Sequence, residues 1–166
     1  MNFSGNKINP LRAQRRLPDA LAVIRGGPEN VRINGTVKFY QENGGVLVVA
    51  DISGLPISTE PCKNGIFAFH IHSGSECTGN NIDPFANAGT HYNPTGCPHL
   101  YHSGDMPPLF SRDGLAYLAF ITNRFTVDEI IGKAVVIHDK PDDFTTQPSG
   151  NAGNKIACAI ISRVKR

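Results

Sequence analysis

Short apolar runs separated by turn residues set the pattern of this 166-residue chain. Positions 20–25, 31–41, 46–52, 66–72, 109–111, 115–121, 133–138 and 156–163 are rich in β-branched and aromatic residues, and they predict eight strands. Asn43-Gly44-Gly45 marks a hairpin between the second and third runs, and Arg112-Asp113-Gly114 another between the fifth and sixth. Long helix-like stretches are few, and no repeat or second domain is evident. The pattern therefore predicts an all-β domain, an eight-stranded sandwich or flattened barrel. Residues 1–18, bracketed by Pro10 and Pro18, hold too little apolar sequence for a core helix. They are expected to form an irregular basic N-terminal extension, a solvated arm, ahead of a domain over 19–163. Residues 73–108 contain ten Gly or Pro. A compact domain tolerates so long a loop mainly when the loop is functional.

Composition narrows the classes. Apolar residues make up 40% of the chain, enough for a core and against wholesale disorder. No apolar run is long enough for a membrane-crossing helix. The start, Met1 to Gly5, lacks the apolar stretch of a secretory signal, so the expected location is cytoplasmic. The net charge of +2 is uneven: residues 33–162 carry seven Lys/Arg against twelve Asp/Glu, so the basic residues sit at the ends. An acidic body without a basic face argues against nucleic acid as a partner.

The histidines change the picture most. All six lie between positions 70 and 138. His70 and His72 alternate with Phe69 and Ile71, so a strand would place both imidazoles on one face, about 7 Å apart, with the apolar residues on the other. That is a chelating platform outside a core. His138 closes the run 133–138 and offers another nitrogen from a second strand. His99, His102 and Asp105 are spaced three and three, with Pro98 and Pro107 preventing a regular helix. A bent loop can turn all three onto one ion, and imidazole plus carboxylate suits zinc. His91 could join either set. A carboxylate-free imidazole set suits copper among redox metals.

One rival reading is a cupin-type metal enzyme. His70-x-His72 followed by Glu76, and Pro94 to His99, match parts of that pattern. Ser103 stands where an Asn is wanted, and His91, His102, Asp105 and His138 are left without roles.

Five stretches carry a closer likeness. Phe69-His70-Ile71-His72, Gly89 to Pro94, His102-Ser103-Gly104-Asp105, Gly132 to Asp143 and Gly150 to Cys158 occur in order, and together the chain resembles copper/zinc superoxide dismutase from about Asp19 to Ser162. The resemblance implies a Greek-key β-barrel with long metal-binding loops outside it. It implies copper held by His70, His72, His91 and His138, and zinc by His91, His99, His102 and Asp105. His91 would bridge the metals as an imidazolate and take up a proton when the bridge to copper opens. Asp142 matches the aspartate that joins a copper-ligand histidine to a zinc-ligand histidine. Cys77 and Cys158 match the disulfide positions, and Cys62 and Cys97 are left as a candidate second bridge. Superoxide is the implied substrate, and a homodimer is the candidate assembly.

The chain departs from the family at Lys155, three residues before Cys158, where the family has arginine. The cation survives but the planar fork does not. With His91, Lys155 is the residue expected to act on the substrate, by attracting and orienting the anion. The departure also leaves room for another class, a copper-binding protein of the same fold with little turnover.

Overall fold

The computed structural model describes residues 8–60 and 65–165. Among the described residues, ten strands form one antiparallel sheet: β1 (Ala20–Gly26), β2 (Asn34–Glu42), β3 (Gly45–Ser53), β4 (Ile66–Phe67), β5 (Phe69–His72), β6 (Leu109–Arg112), β7 (Leu115–Thr122), β8 (Ala134–His138), β9 (Lys155–Ile160) and β10 (Ser162–Arg163). The order is β4-β6-β7-β3-β2-β1-β9-β8-β5, with β10 beside β1. β4 and β5 lie at opposite ends of that order yet are joined through Ala68 alone, so the covalent chain nearly closes a barrel. The run 66–72, expected as one strand, is therefore split: Ile66 and Phe67 pair with β6, while Phe69–His72 pairs with β8. The run 156–163 divides in the same way, at Ile161. Pairing of β3 with β7 and of β5 with β8 crosses over between hairpins, which is the Greek-key arrangement.

Alternation along the strands fills the barrel. Val37 and Phe39 of β2, Val46, Val48, Ala50 and Ile52 of β3, and Phe69 and Ile71 of β5 all point into one core cluster. Leu47 and Val49 then face outward, and their cover comes from the N-terminal segment. A single helical turn, α1 (Pro10–Ala13), is capped by the Asn9 side chain and buries Ala13 against Tyr40, Leu47 and Val49. Arg16 ties the segment down through Asp19 (2.8 Å) and Glu42 (3.1 Å), with its guanidinium over the Tyr40 ring. Within residues 8–18 the arm is thus pinned at Ala13 and Arg16, because β3 presents an apolar outer face that needs cover, while residues 9–12, Gln14, Arg15 and Leu17 stay exposed to solvent. A second one-turn helix, α2 (Val127–Ile130), follows a capping box made by Thr126 and Glu129.

On the other side of the barrel, β5, β8 and β9 turn His70, His72, Val136, His138 and Cys158 outward, and the long loops cover them. Cys77 of the first long loop is bonded to Cys158, 81 residues on. A closed loop of that length contributes about 4 kcal/mol through the entropy of the unfolded chain. Cys97 is a free thiol, and Cys62 lies outside the described residues, so no second bridge to Cys97 is described.

Candidate metal centre

The site begins at a sheet edge. β5 is the last strand, and its outer backbone groups would be left unpaired. The first long loop takes them up: Ser73 N donates to Thr90 O (2.8 Å), Tyr92 N to Ile71 O (2.8 Å), and Ile71 N to Gly104 O (2.9 Å). Isolated bridges set His91 beside His72 and Asp105 beside His70. The same hydrogen bonds that cover the edge carry His91 and Asp105 onto the platform formed by His70 and His72.

Two groups of side chains result. His70, His72, His91 and His138 present ligand atoms within 4.8 Å of one another, and so do His91, His99, His102 and Asp105. All seven residues are buried, with His91 common to both groups. Such burial of polar side chains is costly unless each is satisfied.

Their hydrogen bonds define which nitrogens remain. A carbonyl can only accept, so His72 Nδ1 donates to Gly89 O (2.8 Å) and His138 Nδ1 to Gly153 O (3.3 Å). The two Nε2 atoms then face each other 3.2 Å apart as lone pairs. Two lone pairs at that distance repel, and a cation between them removes the conflict. Asp142 accepts from His70 Nε2 (2.8 Å) and from His99 Nε2 (2.9 Å), which leaves the Nδ1 atom of each ring unprotonated. His70 Nδ1, His99 Nδ1 and His91 Nε2 are buried and have no hydrogen-bond partner among the described residues. His99 Nδ1 does lie 3.1 Å from Asp105 Oδ2, but without the alignment of a hydrogen bond. His91 Nδ1 sits 2.8 Å from Asp105 Oδ1 and 3.4 Å from His102 Nδ1. Orphaned lone pairs converging at two points are what two metal ions would satisfy, so the donor set fits one all-imidazole site and one imidazole-carboxylate site.

The electrostatics agree. Burial lowers the imidazolium pKa of His70 and drives that of His72 well below its ordinary value, with neighbouring histidines adding to the effect. Burial brings His138 down to about 3, with a further push from His70. These rings are therefore neutral at neutral pH, the form in which an imidazole can bind a metal. Burial works against the Asp142 carboxylate, yet hydrogen bonds from His70, His99 and the Phe144 amide outweigh it and hold the carboxyl well below its ordinary range. Gly150 makes room for this bridge: it has φ +67°, and a Cβ there would come within 1.9 Å of Asp142 Oδ1.

Two supporting residues escaped the sequence reading. Gln147 accepts from His99 N (2.9 Å) and donates to His99 O (2.6 Å). Arg124 Nη1 reaches the carbonyls of Leu100 (3.1 Å), Asp105 (3.2 Å) and His102 (3.5 Å), clasping the loop from outside. Both act on backbone groups far away in sequence, and no spacing rule signals such contacts.

Lys155 stands at the start of β9, paired in the sheet with His138. It lines a cavity of about 520 Å³ together with His72, His91 and His138. Its ammonium is not bare: Nζ is ion-paired with Asp83 Oδ2.

Comparison with known proteins agrees with this geometry. The family model for copper/zinc superoxide dismutase matches residues 33–161. "Superoxide dismutase [Cu-Zn] 2" of Aquifex aeolicus is 34% identical over 142 residues, covering 76% of this chain and 78% of that protein. The copper-zinc superoxide dismutase of Deinococcus radiodurans is 31% identical over 153 residues, 80% of this chain and 79% of its own length. That of Paramecium bursaria Chlorella virus 1 is 31% identical over 162 residues, 88% of this chain and 79% of its own.

Proposed function

The chain belongs to the copper/zinc superoxide dismutase family, and we propose that its two histidine groups divide the work of that activity between them. It disproportionates superoxide, with copper and zinc as cofactors. His70, His72, His138 and the Nε2 side of His91 would hold copper. The Nδ1 side of His91, with His99, His102 and Asp105, would hold zinc. When bound, copper supplies the one-electron couple by which one superoxide becomes dioxygen and a second, with two protons, becomes hydrogen peroxide.

The remaining roles belong to the chain's own groups. Lys155 attracts the anion into the cavity, because a cation against low-dielectric walls raises the local concentration of a negative substrate. His91 lines that cavity and its Nε2 is buried without a hydrogen-bond partner among the described residues, so this nitrogen would hold a proton whenever it is not a ligand. Asp105 holds the Nδ1 edge of the same ring and so fixes its orientation. Asp142 couples the two halves by holding His70 and His99 with one carboxylate.

The observation that carries this division is the set of three orphaned nitrogens buried between two converging ligand groups. Metal analysis of the purified protein, with superoxide turnover measured on the same sample, tests it. The expected result is one copper and one zinc per chain, with turnover tracking copper. One metal per chain would overturn the assignment.

Among the described residues no helix is long and apolar enough to cross a membrane. The Cys77–Cys158 bridge fits a compartment that does not reduce it. A cytoplasmic location would require the bridge to resist the thiol pool, which burial of Cys158 favours.

A further inference from the structure

The segment from 78 to 90, between Cys77 and His91, carries an acid to which the division of labour above gives no role. Asp83 is firmly placed. Asn80 Oδ1 accepts from the amides of Ile82 (2.8 Å) and Asp83 (3.0 Å), and Asn80 N donates to Asp83 O (2.9 Å). Phe85, two residues on, is buried in a small apolar cluster with Cys158 and Val136. Gly79 lets the loop close on itself, since a Cβ there would lie 2.1 Å from Asp83 O. One Asp83 carboxylate oxygen accepts from Phe85 N (3.0 Å), and the other meets Lys155 Nζ. The Lys155 side chain is 15% exposed and that of Asp83 34%. Neither is a freely solvated surface group.

Both line the cavity that holds His72, His91 and His138. Among the described residues of its wall, Asp83 is the only acid and Lys155 the only lysine or arginine, and their charges are opposite. The cation that attracts the substrate is therefore already engaged by a resident carboxylate.

We propose that Asp83 is an affinity-setting residue of the site: a built-in anion that competes with incoming anions for Lys155. The proposal rests on the reading of Lys155 as the anion-attracting group. An entering monoanion must share the ammonium with Asp83 or displace the carboxylate from it. Every small anion, substrate and inhibitor alike, is bound more weakly than a bare lysine would bind it. Removing the competing charge releases Lys155, and the gain is electrostatic, so salt erodes it.

Azide, an unreactive linear monoanion, is the probe. Its dissociation constant is read from the visible spectrum of the copper- and zinc-loaded protein for the parent, Asp83→Asn, Lys155→Met and the double variant, at low and high salt. Asp83→Asn keeps an acceptor for Phe85 N and is expected to bind azide about three- to fivefold more tightly at low salt, the range set by a partly exposed ion pair. Superoxide kcat/KM rises in parallel, and both gains shrink at high salt. Lys155→Met weakens azide binding, and in that background Asp83→Asn has no further effect. Asp83→Glu, which keeps the charge, retains the parent's affinity. Metal content is checked on every variant, and Asp83→Ser serves as the second neutral variant if Asp83→Asn does not fold.

Azide binding unchanged or weakened by Asp83→Asn, with Lys155→Met still weakening it, would overturn the proposal and leave Lys155 as assigned. Equal tightening with and without Lys155 would also overturn it, since the effect would then be general charge. Azide binding indifferent to Lys155→Met would instead overturn the reading of Lys155 on which the proposal stands.

Discussion

The two halves of the metal centre are built by different means. His70, His72 and His138 project from adjacent strands whose register is fixed by the sheet, with Phe69, Ile71 and Ile137 of the same strands locked in the barrel core. His99, His102 and Asp105 belong to a loop held by Asp142, Gln147 and the Arg124 clasp. Sheet register places the strand half, with Gly89 O, Gly153 O and Asp142 only orienting its rings, whereas the loop half owes its position to polar contacts with Asp142, Gln147, Arg124 and the β5 edge. The difference teaches where a bound metal contributes to folding: least where the sheet has already arranged the ligands, and most where the loop has not.

The largest expected break between the halves comes from Asp105→Ala, which removes the only carboxylate among the predicted ligands. Zinc affinity falls more than about 100-fold, beyond what contacts outside a ligand set usually cost, while copper stays near one per chain. Copper lost in step with zinc would erase the distinction between the halves. Arg124→Met acts more gently. Loss of its carbonyl contacts weakens zinc about tenfold without touching a ligand atom, as measured by chelator competition. An unchanged zinc affinity would show that the loop holds its shape without the clasp.

Acid sharpens the comparison by a smaller amount. In the metal-free chain His138 titrates near 3 when folded against an ordinary 6.5, so the unfolded chain takes up the proton first. Stability is then fully present above about 6.5 and lost as pH falls toward 3, by about 1 kcal/mol from His138 alone between pH 6.5 and 5.5. His70 and His72 shift in the same direction and add to the loss. The Asp105 carboxyl is lowered although burial opposes it, chiefly by its hydrogen bond with His91, so its contribution is present above its ordinary 3.8 and is lost as pH falls from there through the lowered value. Denaturant titrations of the metal-free protein that show no decline over that first interval would contradict the burial argument.

What could be read from the sequence divides along the same line. Strand alternation has a fixed period of two, so His70-x-His72 declares its geometry as soon as the strand is recognised. The loop ligands were legible as a set, through spacing and family likeness, while the contacts that hold them were not. Asp83 meets Lys155 across 72 residues, Gln147 meets His99 across 48, and Arg124 meets Asp105 across 19. Pairings at such separations are products of the fold. The packed N-terminal segment was missed for a related reason. Asn9-Pro10 is a usable helix-start signal, but the demand for cover comes from Leu47 and Val49, which become an exposed apolar face only once β3 is in its sheet. Thr126-x-x-Glu129 has the capping-box pattern, but one helical turn leaves too little periodicity for a sequence to declare the helix.

On the proposed assignment one half of the site serves copper, the other serves zinc, and His91 alone is common to both. His138→Ala tests it most directly, because His138 belongs to the strand half only and lies on a strand that the sheet holds in place. Copper, zinc and superoxide turnover are measured on the same purified variant. Copper and activity are expected to be lost while zinc stays near one per chain. Activity that persists, or zinc that leaves together with copper, would contradict it.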